Sequence, residues 1–330
     1  MSKPQKVVLT GATGFLGSHL AEYLVNKGYD VHCITRKSSN LKYVKHLALT
    51  FHDCGLTDVK ALEKAFENVD YIFHLAGTVA ALNFKDYLYG NVELTKNVLQ
   101  AALNANQNLK KIVVTSSLAV GGPCTKDTPI DETGSFNAIS LYGKAKVEQE
   151  KVCMQYMDKL PITIARPSVI SGEREAELYE FIKTVKQGLV PLVGFNKKYL
   201  GIINVKDLTE AFYQMAITEK TASEAYYLSS EDIIDWKTFG ELCAKKLNKK
   251  PLFLHLPHFI IYIAGFFASL AGKLRGTAPT FDLEKAKEGV QEAWICKVDK
   301  AQKDFGFKQT VSIKDGVEQA IDWYKKEGWL

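Results

Sequence analysis

The chain has 330 residues, 46% hydrophobic and 24% charged, and its 42 Lys and Arg against 37 Asp and Glu leave a formal charge of +5. That balance excludes an intrinsically disordered chain, and the surplus of cations is too small and too scattered for a nucleic-acid footprint. The length allows one large domain or two closely joined ones.

Met1–Lys6 runs straight into an apolar strand, with no charged-then-apolar leader, which predicts a cytoplasmic protein without a signal peptide. Six short apolar runs follow: Lys6–Thr10, Val31–Thr35, Ala48–His52, Tyr71–Leu75, Lys111–Thr115 and Pro161–Ala165. Each is rich in β-branched or aromatic residues and nearly continuous in apolarity, as suits a parallel strand covered on both faces. Helical stretches lie between them at Ser18–Lys27, Asp86–Asn106 and Leu141–Asp158. The alternation predicts an α/β fold, a Rossmann-type doubly wound parallel sheet over residues 1–170. Residues 171–330 are expected to form mainly a smaller, mostly helical C-terminal lobe around the substrate. Within them Glu173–Gln187 reads as helix, Gly188–Gly201 as loop with short strands, and a strand and helix near 202–219 as returning to the first domain.

Phe259–Ala271 carries no charge. Thirteen residues are too few for a bilayer span, which needs about 20, so no transmembrane segment is expected. The segment reads first as a buried helix, then as an apolar wall or lid, and last as a membrane-surface contact. The six cysteines form no CxxC pair and predict reduced, mostly buried thiols; no metal site is expected.

Two motifs carry chemistry. Gly11, Thr13, Gly14, Phe15, Leu16 and Gly17 follow the first strand and open a helix. Gly11 makes the tight turn, Gly14 lets backbone approach a pyrophosphate, and Gly17 lets the helix pack on the sheet. The helix N-terminus then offers free N–H groups to the phosphates. The second strand ends in Thr35-Arg36-Lys37 rather than in an acid, and Asp30 lies at its wrong end. Arg36 and Lys37 therefore point to a 2′-phosphate, hence NADP over NAD, and Asp53 is placed to meet the adenine.

Tyr142 and Lys146 stand four apart at the start of a helix, on one face. A phenol has a pKa of about 10, and a neighbouring cation favours the phenolate and so an acid/base role. Tyr23/Lys27 and Tyr179/Lys183 share the spacing. Only Tyr142/Lys146 follows a strand ending in Thr115-Ser116-Ser117, at the carboxyl edge where open α/β sheets bind ligands.

Together these residues resemble the extended short-chain dehydrogenase/reductases, the NAD(P)-dependent epimerase/dehydratase group, over essentially the whole chain. The resemblance implies that Tyr142 is the acid/base, that Lys146 tunes it and holds the nicotinamide ribose, and that Ser117 orients the substrate. It also implies cofactor contacts from Cys54, from Leu75, Ala76 and Gly77, from Asn91 and Thr115, and from Pro167, Ser168 and Val169. Thr35-Arg36 and Lys197–Ile203 depart from the sugar-nucleotide branch. The tail Trp294–Cys296, Phe305–Phe307 and Trp323–Leu330 is similar to dihydroflavonol-4-reductase-like and 3β-hydroxysteroid dehydrogenase-like members. The expected reaction is reduction of a ketone, or oxidation of a secondary alcohol, on a small apolar ring substrate. The alternatives are a nucleotide-sugar epimerase/dehydratase with tightly held NAD and a non-catalytic dinucleotide sensor. A homodimer through the helices 86–106 and 141–158 is expected.

Overall fold

A computed structural model describes residues 4–105 and 108–330; Met1–Lys3 and Asn106, the last expected residue of the second helix, lie outside them. The six apolar runs of the first half become β1 (Lys6–Thr10), β2 (Asp30–Ile34), β3 (Leu49–His52), β4 (Tyr71–His74), β5 (Lys111–Thr115) and β6 (Ile162–Pro167). Between them run α1 (Phe15–Asn26), α2 (Val59–Phe66), α3 (Phe84–Leu88), α4 (Leu94–Ala105) and α5 (Leu141–Tyr156). Helix α2 went unread in the sequence. It has only eight residues, too few for a convincing 3.6 period, although Asp58 caps it through Ala61 N–H at 3.1 Å.

After β6 come β7 (Val169–Ser171), α6 (Glu177–Lys186), β8 (Leu189–Val193), β9 (Tyr199–Asn204), α7 (Val205–Ile217), β10 (Ala225–Leu228) and β11 (Ile233–Asp235). The chain ends with α8 (Trp236–Leu247), β12 (Leu252–Leu256), α9 (His258–Arg275), α10 (Leu283–Gly289), β13 (Ala293–Trp294), α11 (Asp299–Phe305) and α12 (Ile313–Lys326).

The main sheet has seven parallel strands in the order β10-β6-β5-β4-β1-β2-β3. Chain progress reverses direction between β1 and β4, the switch point at whose carboxyl side such sheets open a crevice. Alternating side chains feed two cores. Val7, Leu9 and Val113 pack with Leu20 and Leu24 of α1 and Phe212 of α7. Val8, Ile112 and Val114 pack with Leu62, Leu99 and Val152 of α2, α4 and α5. A third core, built on Ile182, Val190, Phe239 and Tyr324, belongs to the second half.

The segment near 202–219 divides. Its strand β9 pairs with β7, β11 and β13 and not with the main sheet, while α7 packs on α1, β5 and β6. The late strand that does join the main sheet is β10, beside β6.

The expected burial of 259–271 does not hold. Helix α9 is an 18-residue helix with only Ile261, Gly265 and Gly272 buried, while Phe259, Phe266 and Phe267 stand more than half exposed. Apolar composition sets a segment's appetite for burial and not which neighbour covers it; here the neighbour α10 is seven residues long and meets only the glycine side. Among the described residues no helix is long and apolar enough to cross a membrane.

Candidate functional site

The glycine turn closes β1 onto α1. Gly11 has φ +74°, and a Cβ there would lie 2.7 Å from Ala76 N. A Cβ at Gly17 would run into the Gly11 carbonyl oxygen. Only glycine fits either place. At Gly14 a Cβ would touch nothing but that same oxygen, at 3.4 Å, so the space before it is open. Gly14 is the N-cap of α1, with no capping side chain and no acid in the first turn. The first intrahelical donor is Ser18 N, to Gly14 O at 2.9 Å, so the amides of Phe15, Leu16 and Gly17 precede the ladder. Thr13 lies half-buried beside them. An uncapped helix end behind an open glycine fits a pyrophosphate.

Arg36 and Lys37 are exposed beyond β2. Thr35 donates to Asp53 Oδ1 at 2.5 Å, which holds the loop after β3, with Cys54 half-buried beside it. Beyond β4, Leu75 and Ala76 are half-buried and Gly77 is exposed. Asn91 sits behind this loop, fully buried in a widened π-turn (Tyr89–Glu93) between α3 and α4. Its Nδ2 donates to Thr78 O (2.9 Å) and Tyr87 O (3.0 Å), and its Oδ1 accepts from Thr78 N (3.3 Å). Asn91 thus shapes the loop rather than facing the crevice. Pro167 ends β6, Ser168 follows it and Val169 opens β7. Among the described residues the hydroxyls of Thr115 and Ser168 are buried without a partner, two polar atoms still to be satisfied at the far end of the crevice.

Tyr142 is fixed by the start of α5. Ser140 caps this helix through Gly143 N–H at 3.1 Å, and Glu284 accepts from Leu141 N at 2.8 Å. Tyr142 therefore sits in the first turn, hydrogen-bonded to Ser117, whose own Oγ accepts from Ala119 N at 3.2 Å. The phenol reaches a cavity of about 370 Å³ lined also by Tyr87, Tyr179, Pro279, Trp329 and the charged Glu177, Lys285 and Glu288.

Lys146 lies one turn deeper. Its Nζ donates to Thr115 O and to Gln149 Oε1, both at 2.9 Å, and lies 5.9 Å from the centre of the Tyr142 ring. Burial brings its pKa down to about 8. Gln149 then donates to Thr95 Oγ1 (2.9 Å), which also meets His74 Nε2 (2.9 Å), whose Nδ1 meets Thr10 Oγ1 (2.7 Å). A buried polar chain thus runs from the lysine to the end of β1. His74 is held neutral, its pKa brought down to about 3 by burial and then by the Lys146 charge. Its neutrality adds to folded stability above pH 6.5, and that contribution is lost as pH falls from there towards 3.

Burial also governs Tyr142. Its pKa is pushed up to about 12, against the lowering effects of the Ser117 hydrogen bond and the Lys285 cation. The expected lowering by Lys146 is not what this arrangement does, because that ammonium is turned towards Thr115 and Gln149. At neutral pH the phenol keeps its proton.

The sequence reading missed Gln149, Thr95, His74 and Lys285. Gln149 stands three residues after Lys146, on the same helix face, which was a usable signal. Lys285 had none: it comes from α10, 143 positions after Tyr142, and is held by Glu177 at 3.2 Å.

A family model described as the NAD dependent epimerase/dehydratase family matches residues 7–228. The UDP-N-acetyl-alpha-D-glucosaminuronate decarboxylase of Bacillus cytotoxicus is 27% identical, over 98% of each chain. The mouse (Mus musculus) sterol-4-alpha-carboxylate 3-dehydrogenase, decarboxylating, is 25% identical over 97% of this chain and 91% of its own. The crystal structure of UDP-glucose 4-epimerase from Thermotoga maritima superposes with a TM-score of 0.80 at 19% identity, covering 98% of this chain and 99% of that one. With two-thirds of its length matched by the family model, the chain belongs to the NAD dependent epimerase/dehydratase family.

Proposed function

We propose that this enzyme is a dehydrogenase or reductase that interconverts a ketone and a secondary alcohol on a small, ring-containing substrate with a nicotinamide dinucleotide. The observation that carries this reading is the phenol of Tyr142 set in a cavity at the carboxyl edge of the sheet, with Ser117 hydrogen-bonded to it and Lys146 one helical turn deeper. The dinucleotide, when bound, supplies or accepts the hydride. Tyr142 gives its proton to the forming alkoxide, and Ser117 holds the substrate oxygen by a hydrogen bond that strengthens as charge develops there. The Lys285 cation at the cavity wall steadies the phenolate left after transfer, and Lys146 stands one helical turn deeper on the same face of α5. The amides of Phe15, Leu16 and Gly17 hold the pyrophosphate. Tyr87, Tyr179 and Trp329 give the substrate apolar walls.

The charge of the cavity favours a neutral substrate. Glu177, Glu180, Asp282, Glu284 and Glu288 face it against Lys285 alone. A pyrophosphate-bearing sugar would meet carboxylates there, as a neutral ring alcohol or ketone would not. The test is turnover of purified protein with a panel of cyclic ketones, followed by loss of the reduced nicotinamide. Consumption with neutral ketones and none with nucleotide sugars is the expected result.

Arg36 and Lys37 favour the phosphorylated cofactor. Arg36→Ala is expected to weaken NADPH about tenfold, the loss of a charge-assisted contact of about 1.5 kcal/mol, and to leave NADH unchanged. Titration calorimetry with both cofactors decides it; equal losses, or equal starting affinities, would remove the preference for NADP.

The 27% identity to a nucleotide-sugar decarboxylase favours a second reading, in which the substrate is a nucleotide sugar and NAD is regenerated each cycle. Stoichiometric NAD carried through purification distinguishes it. In either reading two copies would pair through α4 and α5, near which Tyr89 and Met154 are exposed.

A further inference from the structure

Helix α9 is built inside out. At 3.6 residues per turn, Phe259, Ile263, Phe266, Phe267, Leu270 and Leu274 fall within about 100° of arc. All six are exposed, from 45% for Leu270 to 82% for Leu274. The three buried residues, Ile261, Gly265 and Gly272, fall within about 40° on the opposite side. The inner face is small because it must be. A Cβ at Gly265 would lie 2.9 Å from Asp282 O, and one at Gly272 would lie 2.7 Å from Pro279 Cδ. A helix at a water-facing surface turns its large apolar stripe to the core and its small or polar residues outward. This one does the reverse, and a contiguous exposed apolar stripe of this kind marks an interaction surface.

Its charges are as uneven as its packing. Residues 242–281 hold six of the chain's 42 Lys and Arg and none of its 37 Asp and Glu. Elsewhere 36 cations face 37 anions, so the whole positive surplus of the protein resides in this one segment. Lys273 and Arg275 close the exposed helix, and Lys249 and Lys250 precede the strand that leads into it; all four are exposed. The strand β12 adds exposed Leu252 and Leu254.

We propose that α9 is a membrane-docking element that lies in the interface of a bilayer bearing anionic headgroups, its six-residue stripe among the acyl chains and its cations on the lipid phosphates and carboxylates. The helix does not span: among the described residues none can. Charge selects lipid over a second copy of the chain. A paired copy would bring no acid from residues 242–281 to Lys273 and Arg275, because that segment contains none. Docking has a geometric consequence. Ala278, Pro279 and Thr280, which lead the chain out of α9, line the cavity that holds Tyr142, so the bilayer surface and the acid/base group become neighbours. The docking itself does not depend on which reaction the cavity performs.

The experiment is co-sedimentation of the full chain with phosphatidylcholine vesicles, with and without phosphatidylserine, alongside sedimentation equilibrium without lipid. Phe266→Ser/Phe267→Ser/Leu274→Ser replaces exposed residues and is expected to keep the wild-type thermal midpoint. Lys273→Gln/Arg275→Gln removes the cations. The wild type is expected to sediment with the mixed vesicles, to be released by salt, and to stay in solution with phosphatidylcholine alone. The triple variant should bind the mixed vesicles at least about tenfold more weakly, and the double variant should lose the response to phosphatidylserine. Wild-type protein that ignores both vesicles overturns the proposal. So does equal binding to both, and so does a lipid-free dimer that the triple substitution dissociates.

Discussion

Tyr142→Phe is expected to lower turnover about 10²–10⁴-fold, the contribution of a positioned acid/base and roughly 3–5 kcal/mol of barrier, while cofactor affinity stays close to that of the wild type. The ring is kept in shape, so its packing beside Tyr87, 6.3 Å between centroids, survives. The glycine turn and the Lys146 contacts to Thr115 and Gln149 are untouched. What disappears is the proton and the hydrogen bond to Ser117. The phenol's high pKa adds a direction. A group held protonated to about 12 is a ready donor to a ketone and a reluctant acceptor from an alcohol. Reduction should therefore be the faster direction at neutral pH, with oxidation gaining as pH rises. Single-turnover kinetics in both directions, with cofactor titrations on the variant, measure all of this. Turnover within threefold of wild type would remove Tyr142 from the chemistry, and loss of cofactor binding would make its role positional.

The parts of this protein that were legible in the sequence are those whose physics is local. The six strands of the first half announced themselves because a strand covered on both faces must be apolar throughout. The glycine turn was legible because Gly11 and Gly17 stand where any side chain would strike backbone. The offset of four between Tyr142 and Lys146 placed both on one helix face. What stayed hidden depends on distant neighbours. Asn91 lies behind the loop after β4 because a π-turn rotates it there, and nothing local in its sequence signals that widened turn. Lys285 enters the cavity from α10 only once the second lobe has packed. The outward stripe of α9 is invisible for the same reason: the period of 3.6 marks a face, and only the neighbours that pack inside, α10 at Gly265 and the segment carrying Thr277 and Pro279 at Gly272, determine that the other face is left bare.

The second large effect concerns the same helix, α5, and falls on stability. Glu150→Leu is expected to destabilise the fold by about 3–5 kcal/mol, the cost of breaking a buried ion pair by removing one partner. Glu150 is 1% exposed and Arg166 7%. The pair is bidentate, Nε to Oε1 at 2.9 Å and Nη2 to Oε2 at 2.7 Å, and Ser116 donates to the same Oε1 at 2.5 Å. Leucine in that place would leave a guanidinium shut away from water, with the rings of Phe136 and Tyr227 at 5.6 and 5.0 Å and the Glu132 charge in place of a direct partner. The net value of the pair is far smaller than the cost of halving it, because each ion gave up its water to be there. Glu150→Leu/Arg166→Met should therefore recover most of the loss, and urea unfolding of the three proteins tests both statements at once. A single variant within about 1 kcal/mol of wild type would show that water reaches the pair. The recovered double variant should still turn over more slowly. Glu150 stands one helical turn beyond Lys146, and its two partners sit at the ends of β5 and β6, so the pair sets the height of α5 against the strand end that carries Ser117. Apolar packing can replace its energy and cannot replace that register.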